Sequence, residues 1–451
     1  MLEPRRPEAL LVLFTLLVAG CAQPAPPPGD MRVLRNFTLI DGTGRPPLPD
    51  AAMTISDGRV NWVGPAAELD APEGVPTEDL AGAFVMPGLV NLHGHVGNTV
   101  DLTQDARFHT RESVEKDLRL LASYGVTTVL SMGTDQDPAR EVRAAQRSGR
   151  PSMARLYTAG QGLVFEGGYG GLAGATGTVA TPEEAAAEVA AQADRGADLI
   201  KLWLDDELGT MPKMPAEMSK AIIDAAHARG LKAVAHVFYL EDAQRLVEQG
   251  IDGLVHSVRD QPLGHALIAA MAQRGIWQAA PTLSREASMF AYGSTPPWAA
   301  DPFFARGISP AALDLIGSPE RQKTVASGAN FARYPAFFQT ASANLKALAE
   351  GGVRFGFGTD TGPPGRFPGP FEHWELELMV EAGLTPQQVL VAATGDAAEF
   401  LGAADLGTLE PSKWADFVVL DADPTADIRN TRAIRAVYIA GTEVPADRQG
   451  E

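Results

Sequence analysis

The chain has 451 residues, which is too long for one average domain and suits a large domain with a small module. Hydrophobic residues make up 45% and charged residues 21% of the sequence, so a globular protein with ample core is expected. The net charge of −19 provides no basic footprint, so we expect no nucleic-acid partner and interpret the acidity as a determinant of solubility.

Residues 1–21 have the features of an export signal with a lipid-attachment site. A positively charged start precedes an apolar stretch, residues 9–17, that is too short to span a membrane. Cys21 follows two small residues and is the only cysteine, so no intrachain disulfide can form. This ending resembles a bacterial lipobox, which implies cleavage before Cys21 and lipid attachment to its thiol. An ordinary signal peptide that happens to contain a cysteine is the alternative.

Residues 22–31 are rich in proline and are predicted to be a tether between the anchor and the folded part. By resemblance to Gram-negative lipoproteins, Ala22 after the cysteine implies sorting to the outer membrane. We therefore expect an exported, periplasm-facing protein that is held at the membrane through Cys21.

Residues 32–86 alternate apolar and polar positions in short runs, separated by turn signals such as Asp41-Gly42. The same pattern returns in residues 403–446. Two β segments that flank a long middle region favour one sheet built from both ends. The sequence thus predicts a small β-sandwich-like domain, contributed by both chain ends, around an inserted domain.

Residues 87–402 alternate short apolar runs with helical periodicity. Eight runs are candidate strands: residues 88–92, 126–131, 153–158, 198–202, 233–237, 253–256, 277–281 and 354–358. Eight is the number that a closed parallel barrel needs, so we predict an α/β fold with a (β/α)8 barrel. Residues 285–338 are too long for an ordinary loop, and their aromatic residues and prolines predict an ordered lid of short helices.

Metal-ligating residue types occur at the ends of these runs. His93 and His95 alternate on one strand, so both rings point to the same side and can bind one ion. A buried strand leads directly into them, which favours ligation over two solvated loop histidines. His236 and His256 each close a strand and precede a helix, which favours ligation over satisfied core histidines. Asp360 ends the last run and can both ligate metal and accept a proton.

Lys201 lies inside a strongly apolar strand, where an ammonium group must find a partner or lose its charge. A neutral lysine amine can react with carbon dioxide to give a carbamate, whose two oxygens can bridge two cations. The alternative is a lysine with a buried stem whose head reaches solvent. The other five candidate ligands favour the carbamate.

The order of these residues resembles the amidohydrolase superfamily over nearly the whole chain. The resemblance consists of a His-x-His after strand one, a lysine after strand four, histidines after strands five and six, and an aspartate after strand eight. Within the superfamily the chain looks like the imidazolonepropionase-like and prolidase-like branch with a carbamylated lysine, although the segment after His256 departs from the His-Gly that is common in prolidase-like members. Zinc is the expected metal, with manganese, cobalt and iron as alternatives. A homo-oligomer is also compatible, since related barrels often assemble.

We hypothesise that His93, His95 and Asp360 hold one divalent ion and that His236 and His256 hold a second. The Lys201 carbamate would bridge the two ions, which would generate hydroxide from a shared water near neutral pH. Asp360 would then shuttle the proton to the leaving group.

Two further residues are candidates for substrate contacts. Tyr169 lies in a glycine-rich loop that faces the barrel mouth, where it could donate to a substrate carbonyl or an oxyanion, or pack on the rim. Arg259 lies three residues past His256 and could bind a substrate carboxylate, or form an ion pair with Asp260 or Asp205.

The predicted function is therefore hydrolysis of a C–N bond in a small-molecule amide, cyclic amide or dipeptide. An esterase or lactonase with the same site is one alternative. A non-catalytic, metal-binding receptor lipoprotein is another, and the presence of all six candidate ligands argues against it.

Overall fold

The computed structural model describes residues 30–71 and 73–445. The predicted export signal, Cys21 and nearly all of the predicted tether lie outside these described residues. Within the described ranges, no helix combines the length and the apolar character that crossing a membrane requires.

Strands and helices alternate through most of the described chain. The strands are β1 (Arg32–Leu39), β2 (Leu48–Ser56), β3 (Arg59–Pro65), β4 (Thr77–Pro87), β5 (Leu89–Gly94), β6 (Thr99–Val100), β7 (Thr103–Gln104), β8 (Val126–Ser131), β9 (Arg155–Thr158), β10 (Leu163–Phe165), β11 (Gly177–Val179), β12 (Ile200–Leu204), β13 (Ala233–Val237), β14 (Gly253–Val255), β15 (Trp277–Ala280), β16 (Phe417–Leu420), β17 (Ile434–Ile439) and β18 (Thr442–Glu443). The α-helices are α1 (Arg111–Ser123), α2 (Asp137–Arg147), α3 (Pro182–Asp194), α4 (Ala216–Ala228), α5 (Leu240–Gln249), α6 (His265–Arg274), α7 (Leu283–Ala291), α8 (Pro302–Ala305), α9 (Pro310–Gly317), α10 (Pro319–Ala326), α11 (Tyr334–Glu350), α12 (Pro370–Glu381), α13 (Pro386–Val391) and α14 (Ala397–Leu401).

Strands from both ends of the chain share one seven-stranded sheet, in the order β18-β17-β16-β4-β1-β2-β3. Strand β4 is central: it runs parallel to β1 and antiparallel to β16. Alternate residues of these strands, such as Leu34, Met53 and Phe417, pack into one core. The sandwich-like arrangement and the domain boundaries stay predictions.

Parallel strands make up the middle of the chain. They form a sheet in the order β11-β10-β12-β13-β14-β15 and a second sheet in the order β5-β8-β9. Helices follow most of these strands, and apolar side chains of α3 to α6 pack on the sheet that contains β12 to β14. The predicted α/β class, with helices alternating with parallel strands, is confirmed.

Backbone hydrogen bonds connect the two parallel sheets at both edges. The N–H of Asp198, before β12, donates to the carbonyl of Thr158, at the end of β9, at 2.8 Å. At the other edge, residues 354–361 lie between β15 and β5: Gln278 N–H donates to Arg354 O at 3.0 Å, and Leu92 N–H to Phe357 O at 2.8 Å. Hydrogen bonds therefore lead from each of the eight parallel segments to the next.

Seven of the eight predicted strands are present within two residues of their expected bounds. The eighth, residues 354–358, makes isolated bridges instead of a continuous ladder. Glycines permit its close approach to both neighbours: a Cβ atom on Gly356 would lie 2.6 Å from the carbonyl oxygen of Ala279, and one on Gly358 would lie 2.9 Å from the backbone nitrogen of His93. The segment then turns at Asp360, which has a positive φ of 56°.

A buried ion pair joins the two parts of the fold. Arg155 of β9 donates from Nε and Nη2 to the two carboxylate oxygens of Asp416, at 2.6 and 3.1 Å. The residue Asp416 precedes β16, and its carboxylate also accepts from the backbone N–H of Ala440. Both charged side chains are nearly inaccessible to solvent. The parallel strands of the middle region and the seven-stranded sheet are thus fixed to each other by a bidentate contact.

The long segment after β15 contains short helices, as the sequence predicts. Helices α7 to α10 and the start of α11 occupy residues 283–338. Aromatic residues cluster around Trp298, which stacks on Phe304 with 5.8 Å between ring centroids and meets Phe371 edge-on. This cluster packs the segment against α12, which carries Phe371.

Candidate metal centre

The six predicted ligands lie in or just past the parallel strands, and all of them except Lys201, the second residue of β12, lie at the carboxyl ends. They are His93 at the end of β5, His95 just past it, Lys201 in β12, His236 in β13, His256 just past β14, and Asp360 in the turn after residues 354–358. All six side chains are buried. Carboxyl ends of parallel strands meet at one face of such a fold, which explains why residues so distant in sequence share one region.

Three of the six residues form a compact donor set. Oδ1 of Asp360 lies 3.0 Å from Nε2 of His95 and 3.4 Å from Nε2 of His93. Ligand atoms of these three residues all lie within 4.8 Å of one another. Two imidazoles and a carboxylate at this spacing suit a divalent ion.

The other two histidines continue this group. The ring of His256 lies 4.8 Å from that of His93 and 4.3 Å from that of His236, measured between centroids. His93, His95, His236, His256 and Asp360 line one small cavity. The structure therefore places four imidazoles and a carboxylate around one space, whereas Lys201 is not among the residues that line it.

Three of the four histidines hydrogen-bond through one ring nitrogen to a fixed polar neighbour. The contacts are His95 Nδ1 to Thr134 Oγ1 at 2.9 Å, His256 Nδ1 to Thr282 Oγ1 at 2.8 Å, and His236 Nε2 to Asp205 Oδ2 at 2.8 Å. Such contacts fix the orientation of a metal-binding imidazole and leave its second nitrogen free for the ion. This pattern fits the divalent metal that the ligand set implies.

Sequence reasoning missed these supporting residues. It named Asp205 as a possible partner of Arg259, whereas the structure buries it against His236. Thr134 and Thr282 follow β8 and β15, so their position after a strand was the only available signal. Threonine and aspartate are too common in loops for that signal to identify them.

Lys201 lies in the environment that carbamylation requires. Its Nζ is buried and has no hydrogen-bond partner among the described residues. Burial lowers the pKa of this amine to about 7, so a large fraction of it is neutral near neutral pH. Its stem is confined, because a Cβ atom on Gly133 or Gly162 would lie 3.2 or 3.1 Å from Lys201 Cγ. An orphaned, readily neutralised amine fits a carbamate better than a solvent-reaching head.

The protonation states of the site suit a cation. Burial lowers the pKa of His236 to about 4 and holds the pKa values of His93 and His256 well below their ordinary range. Burial alone would raise the pKa of Asp360, but the charge of Arg366 and the hydrogen bond from the His95 imidazole hold it well below its usual value. Neutral imidazoles and an ionised carboxylate are the forms that bind metal.

Backbone strain accompanies two of the candidate ligands. His256 and Asp360 have φ values of +66° and +56°, in the left-handed region that side chains other than glycine seldom adopt. Strain of this kind persists where surrounding contacts hold a functional geometry. Here it turns both side chains toward the cavity.

The second oxygen of Asp360 faces two arginines. Arg366 donates from Nη1 to Oδ2, and Nε of Arg285 lies 3.8 Å from the same atom. Arg366 also lines the cavity of the histidines. The sequence did not predict this contact, because Arg285 lies in α7 and Arg366 in a loop, and no local pattern links the two.

Tyr169 also lines the cavity, with its ring centroid 5.4 Å from that of His236. Burial raises the pKa of its phenol, so the group is neutral and able to donate near neutral pH. Its position is compatible with the predicted contact to a substrate oxygen, and that role stays a prediction.

Arg259 is 2% exposed and already has partners. Its Nη1 donates to the carbonyls of Val237 and Ser257, and its Nε lies 3.1 Å from Oε2 of Glu286. Its ion-pair partner is therefore Glu286, and not the Asp260 or Asp205 that the sequence suggested. A substrate contact by Arg259 stays a prediction.

Comparison with known proteins gives consistent matches. A sequence model described as the amidohydrolase family matches residues 84–444. An imidazolonepropionase from Cereibacter sphaeroides is 26% identical over 414 residues, which cover 88% of this chain and 94% of that protein.

Solved structures extend the likeness in fold. A Xaa-Pro dipeptidase structure with bound methionine in its active site superposes with a TM-score of 0.70 at 21% identity, covering 92% of this chain and 99% of that one. An A. niger ochratoxinase structure gives a TM-score of 0.72 at 21% identity, covering 92% and 95% of the two chains.

Proposed function

This chain belongs to the amidohydrolase family, and from that premise we propose that it is a hydrolase that cleaves a C–N bond with two divalent metal ions. The observation that carries the proposal is the buried set of His93, His95 and Asp360, whose ligand atoms all lie within 4.8 Å of one another. The similarity to an imidazolonepropionase and to a dipeptidase structure supports the imidazolonepropionase-like and prolidase-like branch.

The ligands divide into two groups in this proposal. His93, His95 and Asp360 would hold one ion, His236 and His256 would hold the other, and a carbamate on Lys201 would supply oxygen ligands to the pair. Zinc suits a set of imidazoles and carboxylates. When bound, the two ions supply a water of lowered pKa and polarise the carbonyl of the substrate.

In this proposal Asp360 accepts a proton in the reaction. Its carboxylate is ionised near neutral pH, and its two oxygens face different neighbours: Oδ1 faces the histidines and Oδ2 faces Arg366. A carboxylate in this position can take a proton from a reacting water and pass it to the leaving nitrogen. Tyr169, a neutral phenol at the edge of the same cavity, can donate to the substrate carbonyl oxygen as negative charge develops on it.

The scaffold that we propose for this site is a closed (β/α)8 barrel. Backbone hydrogen bonds that lead from each parallel segment to the next, and from the last back to the first, support this fold. The likeness in fold to solved structures such as the Xaa-Pro dipeptidase supports it too. The seven-stranded sheet would be the predicted sandwich-like module.

We further propose that the protein is exported and anchored by a lipid on Cys21, on the basis of the lipobox-like residues 18–21. A homo-oligomer remains a proposal by analogy with related barrels. The substrate is a small molecule with an amide, cyclic amide or dipeptide bond, in keeping with relatives whose names include imidazolonepropionase and Xaa-Pro dipeptidase.

Metal content tests the proposal most directly. Protein that lacks residues 1–21 is produced with added zinc and bicarbonate, and its metal is measured by elemental analysis. We expect about two ions per chain, falling in Lys201→Ala. Lys220→Ala is the matched control, because Lys220 is an exposed lysine that pairs with Asp224 on its own helix.

Activity is then measured on amides, cyclic amides, dipeptides, esters and lactones. Turnover of a C–N substrate that is lost in Asp360→Asn supports the proposal. One ion or none in both the parent and Lys201→Ala proteins contradicts the binuclear site. Two ions without turnover on the whole panel would favour a metal-binding receptor instead.

A further inference from the structure

Two buried glutamates lie on one face of α12. Glu372 and Glu375 are three positions apart, a spacing that makes two side chains neighbours on a helix. Both residues are inaccessible to solvent. A buried carboxylate is costly unless hydrogen-bond donors surround it, so its donors identify what the carboxylate holds in place. For both glutamates, these donors lie next to candidate metal ligands or their supports, although α12 itself carries none of those ligands.

Glu372 contacts the turn that carries Asp360. Its Oε1 accepts from the hydroxyls of Thr359 and Thr361, at 3.1 and 2.9 Å. These two threonines flank Asp360 in the sequence, and the carbonyl of Thr361 accepts from the N–H of His95 at 2.7 Å. One carboxylate therefore fixes the turn on both sides of Asp360 and keeps it beside His95.

The same carboxylate connects to the strand of His93. Asn91 donates from Nδ2 to Oε1 of Glu372 at 2.7 Å, and its own Oδ1 accepts from the backbone N–H of His93 at 2.8 Å. The second oxygen, Oε2, accepts from the N–H of Gly369 at 2.6 Å. Donors therefore face both oxygens of Glu372, and a glutamine amide at this position would turn its NH2 group against at least one of them.

Glu375 supports the other side of the centre. Its two oxygens accept from the backbone N–H groups of Leu283 and Ser284, at 2.8 and 2.6 Å. These groups begin α7, where a helix offers donors that lack an intrahelical acceptor and where a negative charge is favoured. Thr282 immediately precedes them, and its Oγ1 lies 2.8 Å from Nδ1 of His256. Glu375 therefore fixes the backbone that presents Thr282 to His256.

We infer that Glu372 and Glu375 are positioning residues, and that each holds the ligands of a different metal ion in place. Glu372 serves the ion that is proposed beside Asp360. Glu375 serves the ion that is proposed beside His256. This inference rests on the proposed function, because it assigns how the two halves of that same site are held. The relative placement of the two ions then depends on α12, a helix that contributes no ligand to either.

Histidine ring signals test the first assignment in metal-free protein. The ring nitrogens are isotope-labelled and observed by NMR, which reports the tautomer and the hydrogen bonding of each imidazole, and each signal is assigned by its loss when that histidine is substituted. Nε2 of His95 lies 3.0 Å from Oδ1 of Asp360. Glu372→Gln displaces the turn of Asp360, so it should shift the signals of His95 and leave those of His256 in place.

Glu375→Gln should give the opposite result. Its amide cannot accept from both N–H groups at the start of α7, so the contact between Thr282 and His256 changes and the signals of His256 should shift. The signals of His95 should stay in place. His236 is the internal reference for both variants, because its ring contacts Asp205 and its hydrogen bond should remain.

Zinc affinity supplies the second readout, by competition with a chromophoric chelator. It should fall by about 10–100-fold in Glu372→Gln and in Glu375→Gln, the usual effect of losing a group that orients a ligand. Glu377→Gln is the matched control, since Glu377 lies on the same helix and pairs with Arg432. That variant should keep the zinc affinity within about threefold of the parent protein and leave all four histidine signals in place.

Two results would overturn the inference: glutamine variants of Glu372 and Glu375 that shift the same histidine signals or none, and zinc affinities in both that stay within about threefold of the parent protein. If Glu372→Gln is unstable, Thr361→Val removes one hydroxyl from the same network and should still shift the signals of His95 alone. Because the ring signals are recorded without metal, a parent protein that binds no zinc would contradict the proposed function and leave those signals to decide the role of α12.

Discussion

Oδ2 of Asp205 lies 2.8 Å from Nε2 of His236, and both side chains are almost fully buried. Asp205 follows β12 and His236 is in β13, so the contact spans two neighbouring parallel strands. Since an ionised carboxylate can only accept, His236 donates from Nε2 and its Nδ1 carries the lone pair. The aspartate therefore selects which nitrogen of His236 is available to a metal ion.

Replacing this aspartate should weaken metal binding. In Asp205→Asn the amide can rotate to offer an N–H in place of the acceptor, and the orientation and basicity of His236 are no longer fixed. We expect the zinc affinity to fall by about 10–100-fold, the usual effect of losing such a partner. Competition with a chromophoric chelator measures it.

The neighbouring Asp206 supplies the matched control. Its carboxylate accepts from the hydroxyl of Tyr239 and does not contact a candidate ligand. Asp206→Asn should retain zinc affinity within about threefold of the parent protein. Equal losses in both variants would mean that the acidity of this loop, and not the contact to His236, affects binding.

The buried lysine makes the metal-free protein sensitive to pH. Burial lowers the pKa of Lys201 to about 7 in the folded state, against an ordinary value near 10.5 in the unfolded chain. The folded state therefore binds fewer protons between these values, so its stability is highest above about pH 10 and falls as the pH drops toward 7. We expect Lys201→Met, measured by urea unfolding in carbonate-free buffer, to remove most of this slope.

Lys232→Met provides the comparison for that experiment, because Lys232 donates to the carbonyl of Phe400 and is not fully buried. Its variant should keep the slope of the parent protein. A Lys201→Met protein whose stability still falls steeply between pH 10 and 7 would show that another group is responsible.

Breaking the Arg155–Asp416 pair should strongly destabilise the fold. Removing one partner leaves a buried charge without compensation, which typically costs about 3–5 kcal/mol in the free energy of unfolding. Arg155→Met, followed by urea unfolding of the metal-free protein, measures the cost. Arg150→Met is the surface counterpart: Arg150 pairs with Asp30 and Asp57 in exposed positions, so a change of only about 0–1 kcal/mol is expected.

Gly362 lets the turn after Asp360 pass close to His95. Its φ is +113°, and a Cβ atom there would lie 2.1 Å from the carbonyl oxygen of His95. Gly362→Ala should therefore displace that backbone, lower the free energy of unfolding by about 1–3 kcal/mol and reduce zinc content. Gly209→Ala is the control that separates the effect of steric crowding from the strain of a positive φ. Gly209 also has a positive φ of 84°, but it has open space around it. Similar effects of the two substitutions would argue against crowding at His95.

Sequence periodicity predicted the positions of the candidate ligands because a parallel strand determines where its last residue lies. His93 and His236 sit on strands whose apolar runs are long enough to be recognised. The segment that carries Asp360 was predicted as a strand too, and its departure from a regular ladder depends on the close approach of Gly356 and Gly358 to neighbouring strands. Contacts of that kind are properties of the assembled fold.

The charged side chains that surround the candidate ligands could not be predicted from the sequence in the same way. Arg285 and Arg366 are separated by 81 positions, the first in α7 and the second in a loop, yet both reach Oδ2 of Asp360. No local pattern links them, since their meeting depends on the path of the short helices after β15. The positive φ values of His256 and Asp360 were equally hidden, because histidine and aspartate give no sign of the left-handed region in a sequence.

The central position of β4 has a consequence for the order in which the protein can fold. This strand pairs with β1, which precedes it, and with β16, which is made about 330 residues later. Until β16 emerges, one edge of β4 has no neighbour and offers its N–H and C=O groups to any other strand. A nascent or truncated chain would thus expose an unpaired strand edge that can pair with strands of other chains. That edge can be covered by β16 only after the entire intervening domain has been synthesised.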